Sequence, residues 1–271
     1  MKVSAPIGVF DSGIGGLTVL RELMRLLPQE DTIYLGDTAR VPYGIRSARV
    51  VNRYSLQNAR FLLSQGIKLL VLACNTASAT SLAYVQRALP VPVIGVIEPG
   101  ARAALRASRS GRIGVVGTET TIRSKAYVKA LKALEPSLKI FSQACPLFVP
   151  LAEEGWCSRD DQVALLVAER YLRPLRRQRI DTLVLGCTHY PLLRDAIAEV
   201  MGPQVVLIDS AAETARATAK LLKDMGLLRR RASGGRRSFF VTDSPQRFRA
   251  LGRRFLGDGQ VENVQLLEVM Q

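Results

Sequence analysis

Two short stretches constrain this chain more than any others: Leu70-Val71-Leu72-Ala73-Cys74-Asn75-Thr76 and Leu183-Val184-Leu185-Gly186-Cys187-Thr188-His189. In each, an unbroken apolar run meets a small residue, then a cysteine, then side chains that hydrogen-bond. An apolar run without polar alternation reads as a strand buried on both faces, and such strands belong to parallel sheets covered by helices. Ligands of open α/β sheets bind beyond the carboxyl ends of the strands. Each cysteine therefore falls at a strand tip facing a crevice. A single cysteine there is more often a small buried hydrophobe. Two in matching contexts point to a paired thiol site.

The match extends beyond the cysteines. Ile7-Gly8-Val9-Phe10 is echoed by Ile113-Gly114-Val115-Val116 at an offset of 106, and Cys74 and Cys187 are 113 apart. Ile94-Gly95-Val96-Ile97-Glu98 is answered by Val205-Val206-Leu207-Ile208-Asp209, with Glu98 and Asp209 offset by 111. Three echoes in one order at nearly constant spacing predict an internal duplication. Between the strands, apolar residues recur at helical spacing: Leu17, Leu20, Leu23, Met24 and Leu27 up to Pro28, a stretch from about Ser47 to Ser64, then Leu82, Val85 and Leu89. Val93 to Ile97 reads as a strand. Alternating strands and helices predict an α/β fold of two similar Rossmann-like or flavodoxin-like lobes, with mainly parallel sheets, right-handed crossovers and an active site in the crevice between them. After Asp209 no third copy begins. A helix near Ala211 to Met225, the strand Ser238-Phe239-Phe240-Val241 and a last helix are expected to return to the first lobe. The expected domains are 1–98 plus 210–271, carrying Cys74, and 99–209, carrying Cys187.

Composition excludes several classes. Of 271 residues, no apolar stretch approaches the roughly 20 needed to cross a bilayer, and the start lacks the apolar segment of a signal peptide, so a cytoplasmic protein is expected. Four cysteines in a chain this long are no disulfide framework. With no Cys-x-x-Cys and a single histidine, no metal site is expected. The turn Asp11-Ser12-Gly13-Ile14-Gly15-Gly16 has Thr18 where a dinucleotide fingerprint needs its third glycine. A net charge of +15 favours loose association with polyanions or steering of an acidic substrate, but mostly reads as a solvated, arginine-rich surface. Its densest cluster, from Arg229 to Arg237, reads as an exposed loop with no accompanying recognition motif, which makes nucleic acid a weak partner candidate.

Two thiols on opposite walls of a crevice suit proton transfer at a carbon held between them. A thiol with an ordinary pKa near 8.5 needs help to act as a base at neutral pH. His189, two residues past Cys187, can serve as hydrogen-bond partner or proton reservoir. Asp11 ends the first strand, and Asp37 and Glu153 are expected in comparable loops. A carboxylate beside a thiol raises its pKa, so these groups are expected to receive or relay a proton. Turns at Asp11-Ser12-Gly13, Pro42-Tyr43-Gly44, Asn75-Thr76 and Thr188-His189 offer hydroxyls, amides and backbone N–H groups, those next to helix starts suiting carboxylates. Thr118, Thr120 and Thr121 follow the second copy's first strand and are expected both to cap a helix and to line the site. Cys145 and Cys157 lack such a context and read as structural.

Taken together, four segments resemble the cofactor-independent glutamate racemases of the aspartate/glutamate racemase superfamily: Phe10-Asp11-Ser12-Gly13-Ile14-Gly15-Gly16, Asp37-Thr38-Ala39-Arg40-Val41-Pro42-Tyr43-Gly44, Ala73-Cys74-Asn75-Thr76-Ala77-Ser78 and Gly186-Cys187-Thr188-His189-Tyr190-Pro191. The resemblance covers essentially the whole chain. It implies a two-base exchange of L- and D-glutamate without a cofactor, supplying D-glutamate for peptidoglycan. The cysteine matching Cys74 handles D-glutamate and that matching Cys187 handles L-glutamate, with Asp11 and His189 matching assisting residues. Asp11-Ser12, Tyr43-Gly44, Asn75-Thr76 and Thr188-His189 match substrate-contacting pairs. In Val149-Pro150-Leu151-Ala152-Glu153, Glu153 or the adjacent Glu154 matches an auxiliary acid. A homodimer is also implied. Other readings are an aspartate or hydantoin racemase on the same fold, and a basic nucleic-acid or protein-binding module with a relic site.

Overall fold

The computed structural model describes residues 1–230, 233–257 and 259–268. Arg231 and Ala232, within the basic cluster read from the sequence, lie outside the described residues. The described residues form two wholly parallel sheets. In the first lobe, β1 (Ile7–Asp11), β2 (Thr32–Gly36), β3 (Leu69–Leu72) and β4 (Val93–Gly95) alternate with α1 (Leu17–Leu26), α2 (Ala48–Ser64) and α3 (Asn75–Ala88). Helix α4 (Ile97–Ala107) leads into the second lobe, whose strands are β5 (Arg112–Gly117), β6 (Lys139–Ala144), β7 (Thr182–Gly186) and β8 (Val206–Asp209). Its helices are α5 (Glu119–Ser124), α6 (Ala126–Leu134), α7 (Phe148–Glu154), α8 (Gln162–Arg177) and α9 (Arg194–Met201). Helix α10 (Ser210–Asp224) returns the chain to the first lobe, where β9 (Arg237–Val241), α11 (Pro245–Leu256) and β10 (Val264–Leu266) complete it.

The strand order β2-β1-β3-β4 of the first sheet recurs as β6-β5-β7-β8 in the second, and β9 and β10 extend the first sheet beyond β2. The repeat holds in register for the cysteine strands. Ile7 pairs with Leu69 and Ile113 with Thr182, so each cysteine stands five residues past the partner of an equivalent isoleucine. At β4 and β8, however, it is Gly95, paired with Leu72, that corresponds to Asp209, paired with Leu185, so the echo of Glu98 with Asp209 read from the sequence is displaced by three residues. Burial of β1, β3 and β7 on both faces accounts for their unbroken apolar sequences.

One element differs from the sequence reading. The strand expected from Val93 to Ile97 stops at Gly95, and Ile97 opens α4. Glu98 and Pro99, read as the strand's end, occupy the first helical turn, where proline loses no hydrogen bond and an acid meets the positive helix end. Helix α4 follows a first-lobe strand yet buries Ile97, Ala101 and Ala104 in a core with Ile113, Val115, Val184 and Ile208. Helix α10 does the converse, burying Ala211, Ala215 and Leu222 beside Leu17, Leu20 and Val9. The two helices pack against each other. Each lobe is thus covered by a helix that the other lobe's sheet delivers.

A buried ion pair ties down the far end of the first sheet. Lys68, fully buried, meets Glu30 Oε2 at 2.6 Å and donates to the carbonyls of Val3 at 2.7 Å and Leu227 at 2.8 Å. Glu30 Oε1 accepts from the Arg229 amide at 2.8 Å. The pair joins the N-terminal segment, the turn before β2 and the chain leaving α10. Lys68→Ala leaves the Glu30 carboxylate buried without its cation, so urea unfolding is expected to show a loss of about 3–5 kcal/mol. Lys68→Met with Glu30→Gln is expected to recover at least half of that loss, because no uncompensated charge remains.

Candidate active site

The tips of β1, β3, β5 and β7 open on one cavity of about 350 Å³ between the lobes. Cys74 follows β3 and caps α3, its sulfur accepting from the Ala77 amide at 3.5 Å and donating to Ser12 Oγ at 3.3 Å. Cys187 follows β7 and faces the same cavity from the second lobe. Each thiol is almost fully buried in the protein but reached through the cavity.

The surroundings of the two sulfurs differ. Cys187 Sγ lies 3.9 Å from His189 Nδ1, and His189 Nε2 lies 3.1 Å from Glu153 Oε1. Burial alone would lower the proton affinity of His189, but its hydrogen bonds to Cys187 and Glu153 outweigh this and carry its pKa up to about 10. The His189 hydrogen bond holds Glu153 below the ordinary carboxylate range against the effect of its own burial, with Arg247 assisting at 3.8 Å. At neutral pH the row is therefore carboxylate, imidazolium and sulfur, with Phe255 edge-on to the ring at 5.9 Å between centroids. Around Cys74 there is no cation of this kind. Burial first, then the neighbouring Asp11 charge, push its thiol up to about 12. Asp11 is itself fully buried and accepts from the Gly13 amide at 2.9 Å. Burial raises its proton affinity while the His189 charge pulls it down.

Anion-binding groups also line the cavity. Thr76 at the start of α3 reaches Thr118 at 2.9 Å and Thr121 at 3.2 Å, and Thr118 caps α5 from the second lobe. The positive end of α3 thus faces the cavity, an arrangement suited to a carboxylate. Asn75 Oδ1 accepts from Tyr127 OH at 2.7 Å, which turns its amide group. Two glycines let the lobes approach. A Cβ on Gly15 would collide with Thr188 and His189, and one on Gly44 would lie 2.6 Å from Thr118 Cβ.

The residues singled out in the sequence fall into three groups. Ser12, Pro42, Tyr43 and Gly44 line the cavity on the first lobe with Cys74, Asn75 and Thr76. Thr118, Glu153, Cys187, Thr188 and His189 line it on the second. Asp11, Asp37 and Thr121 stand behind this wall. Asp37 is fully buried and accepts from Arg40 Nε at 2.8 Å, Asn58 Nδ2 at 2.9 Å, Thr242 Oγ1 at 2.9 Å and the Tyr43 hydroxyl. It clamps the loop carrying Tyr43 and Gly44. Glu153 occupies the last turn of α7, not a loop, and Glu154 beside it is exposed to solvent. Thr120 donates to the Arg46 carbonyl at 2.9 Å. Cys145 and Cys157 are not in the cavity wall. The sequence reading missed Ile45, Glu119 and Pro146, which line it. Adjacency to Thr118 could have pointed to Glu119, whereas apolar wall residues look the same as core in sequence. Among the described residues, no group of three or more His, Cys, Asp or Glu side chains is placed to hold a metal ion.

A sequence model of the Asp/Glu/hydantoin racemase family matches residues 7–218. A glutamate racemase of Geobacter metallireducens is 58% identical over 262 residues, 96% of each chain. Among solved structures, a glutamate racemase isoform of Bacillus anthracis is similar with a TM-score of 0.93 at 43% identity, covering 98% of both chains. The glutamate racemase of Francisella tularensis, solved in complex with D-glutamate, has a TM-score of 0.91 at 38% identity, again covering 98% of both. Matched sheets, paired thiols and near full-length similarity agree: this chain belongs to the Asp/Glu/hydantoin racemase family.

Proposed function

We propose that this protein is an isomerase that interconverts L- and D-glutamate by moving a proton between two thiols. One observation carries the reading: two cysteines, from equivalent strand tips of two related lobes, line the same small cavity. Relatives of nearly full length named glutamate racemase, one of them solved with D-glutamate, support the choice of substrate. The cavity is at the small end of ligand sites, as an amino acid requires.

The protonation states set the direction of each step. The His189 imidazolium, itself held by Glu153, faces Cys187 Sγ at 3.9 Å, while burial and Asp11 hold the proton on Cys74, so in the direction from L-glutamate Cys187 is the base and Cys74 the acid. The Cys187 thiolate removes the α-proton of L-glutamate, and the Cys74 thiol delivers its proton to the opposite face of the carbanion. The product is D-glutamate, with Cys74 left as thiolate and Cys187 as thiol. The reverse reaction starts from that form. A bound α-ammonium group favours the Cys74 thiolate by its charge, and Asp11 behind that wall relays or accepts a proton. The α3 terminus and the threonines Thr76 and Thr118 hold a substrate carboxylate. The assignment of Cys74 to D-glutamate and Cys187 to L-glutamate follows the family pattern.

The same reading places the enzyme in the cytoplasm, where D-glutamate enters peptidoglycan synthesis. Among the described residues no helix is long and apolar enough to cross a membrane. The family pattern further gives a homodimer, which light scattering should record as twice the 29.7 kDa chain mass.

Cys74→Ala and Cys187→Ala are each expected to lower racemisation of glutamate by at least about 10³-fold, the range of a lost general acid or base. Each variant should keep α-proton exchange with deuterated solvent for at most one enantiomer. A variant lacking both thiols that still interconverts the enantiomers defeats the two-thiol scheme. Parallel assays with L-aspartate decide against glutamate if aspartate turns over faster. The pH dependence tests the His189 row. Since the imidazolium form is lost above about pH 10, kcat/KM for L-glutamate should fall on that alkaline side. Glu153 raises the His189 pKa, so Glu153→Gln should move this alkaline limb about 1 unit lower. An unmoved limb would show that His189 does not set it.

A further inference from the structure

The proposed reaction leaves one property of the chain unused, its large positive charge. That charge is unevenly distributed. Between Asp37 and Glu98 the sequence contains no aspartate or glutamate, yet it carries Arg40, Arg46, Arg49, Arg53, Arg60, Lys68 and Arg87. Two of these are neutralised from outside the segment, Arg40 by Asp37 and Lys68 by Glu30. Among the described residues the other five form no ion pair, and all are exposed. Exposed arginines without a carboxylate partner also occur elsewhere, Arg170, Arg173, Arg177 and Arg179 on and just after α8 among them, but none of these lines a cavity with an exposed aromatic ring as the α2 arginines do. Others, such as Arg102, Arg106, Arg159, Arg176 and Arg229, meet carboxylates. The end of the basic cluster that the sequence made conspicuous is thus already paired, while the quieter segment is not.

Three of the unpaired arginines share one groove. Arg49, Arg53 and Arg60 on α2 line an open depression of about 460 Å³ with Asn52, Gln57 and Tyr84, the last from α3. The polar groups there have their acceptors occupied inside the protein. Asn52 Oδ1 accepts from Ser81 Oγ at 2.8 Å, and Gln57 Oε1 accepts from Arg40 at 2.6 Å. What remains for a ligand is guanidinium and amide N–H donors, with no carboxylate. Tyr84 is 41% exposed and supplies an aromatic face. Residues 49 and 60 are separated by about 16 Å along the helix axis, a length matching several nucleotides rather than one phosphate. A positive groove that follows a backbone beside an aromatic platform is how single-stranded nucleic acid is bound without sequence preference.

We infer that the α2–α3 groove is a binding surface for single-stranded nucleic acid, separate from the thiol cavity. Arg49, Arg53 and Arg60 contact successive phosphates, and Tyr84 stacks on a base. Binding is weak, independent of sequence and strongly dependent on salt.

Fluorescence anisotropy with a labelled oligothymidylate of about 15 nucleotides tests this, at about 50 mM and about 200 mM salt. Wild type should bind at the lower salt and weaken at the higher. A combined Arg49→Gln, Arg53→Gln and Arg60→Gln variant should bind at least about tenfold more weakly, with a salt slope reduced by about 2 for three lost phosphate contacts. Tyr84→Ala should weaken binding about fivefold or more without changing that slope. Both variants should keep the wild-type thermal midpoint and racemase rate, which shows that they are folded. The inference is overturned if wild type does not bind at about 50 mM salt, or if the triple variant binds as wild type does. It is also overturned if duplex of equal length binds as well and Tyr84→Ala has no effect, since the face would then be a general polyanion surface. A change of mass in light scattering for the triple variant would instead assign the face to a second copy of the chain.

Discussion

Charge taken out of water must be met by charge, and the cavity wall is organised around that requirement. Glu153, His189 and Cys187 form a row in which the carboxylate and the imidazolium make each other's ionised state tolerable and the imidazolium faces the sulfur. Without Glu153, a buried imidazolium is costly. Across the cavity, where burial and the Asp11 charge act on the sulfur, the Cys74 thiol keeps its proton. The asymmetry is useful to an enzyme with two opposed proton-transfer groups, because one must be charged while the other is not. Two identical environments would leave both thiols protonated or place two like charges around one carbon.

That asymmetry arises within a duplicated frame. By register, Asp11 at the end of β1 corresponds to Gly117 at the end of β5, so the buried carboxylate exists in one copy only. Glu153 and His189 belong to the other copy. The repeat fixes the height of the two sulfurs on their sheets, and the departures from it set their proton affinities. The connection between lobes serves the same end. Because α4 and α10 each cover the sheet of the lobe they did not come from, a shift of one lobe disturbs both cores. The glycines at positions 15 and 44 then allow backbone to approach the opposite lobe at distances that any side chain would prevent.

The sequence made the paired strands and their cysteines legible because burial on both faces forces continuous apolar runs, and these are rare enough to recognise when repeated. The positions of Ser12, Asn75, Thr76, Thr188 and His189 followed from adjacency to strand tips. What could not be read was contact between distant segments. Asp37 has the same sequence context whether it faces the cavity or, as found, clamps the loop of Tyr43 through Arg40, Asn58 and Thr242. Glu153 and Glu154 are neighbours in sequence, and only the facing of α7 separates the one beside His189 from the one in solvent. Val96 and Ile97 have strong strand preference, yet tertiary packing of α4 on the second lobe overrides it. Ile45 and Pro146 line the cavity with apolar surface that no local pattern distinguishes from core.

The same reasoning separates the two roles that positive charge plays in this chain. At His189 a single cation is buried, held by one acid and directed at one sulfur, so its effect is large and local. On α2 the cations are exposed, unpaired and spread along a helix, so water and salt screen each of them and only their number matters. Screened charges of that kind contribute little to the electrostatics of the thiol cavity, with which the α2 groove shares no lining residue. An acid-free surface is also no aid to folding, since like charges along one helix repel. Apart from Arg53, which stacks over the Tyr54 ring at 5.3 Å, the arginines lining the α2 groove make no contact that the thiol chemistry or the fold requires, and this is what leaves them available to the inferred ligand.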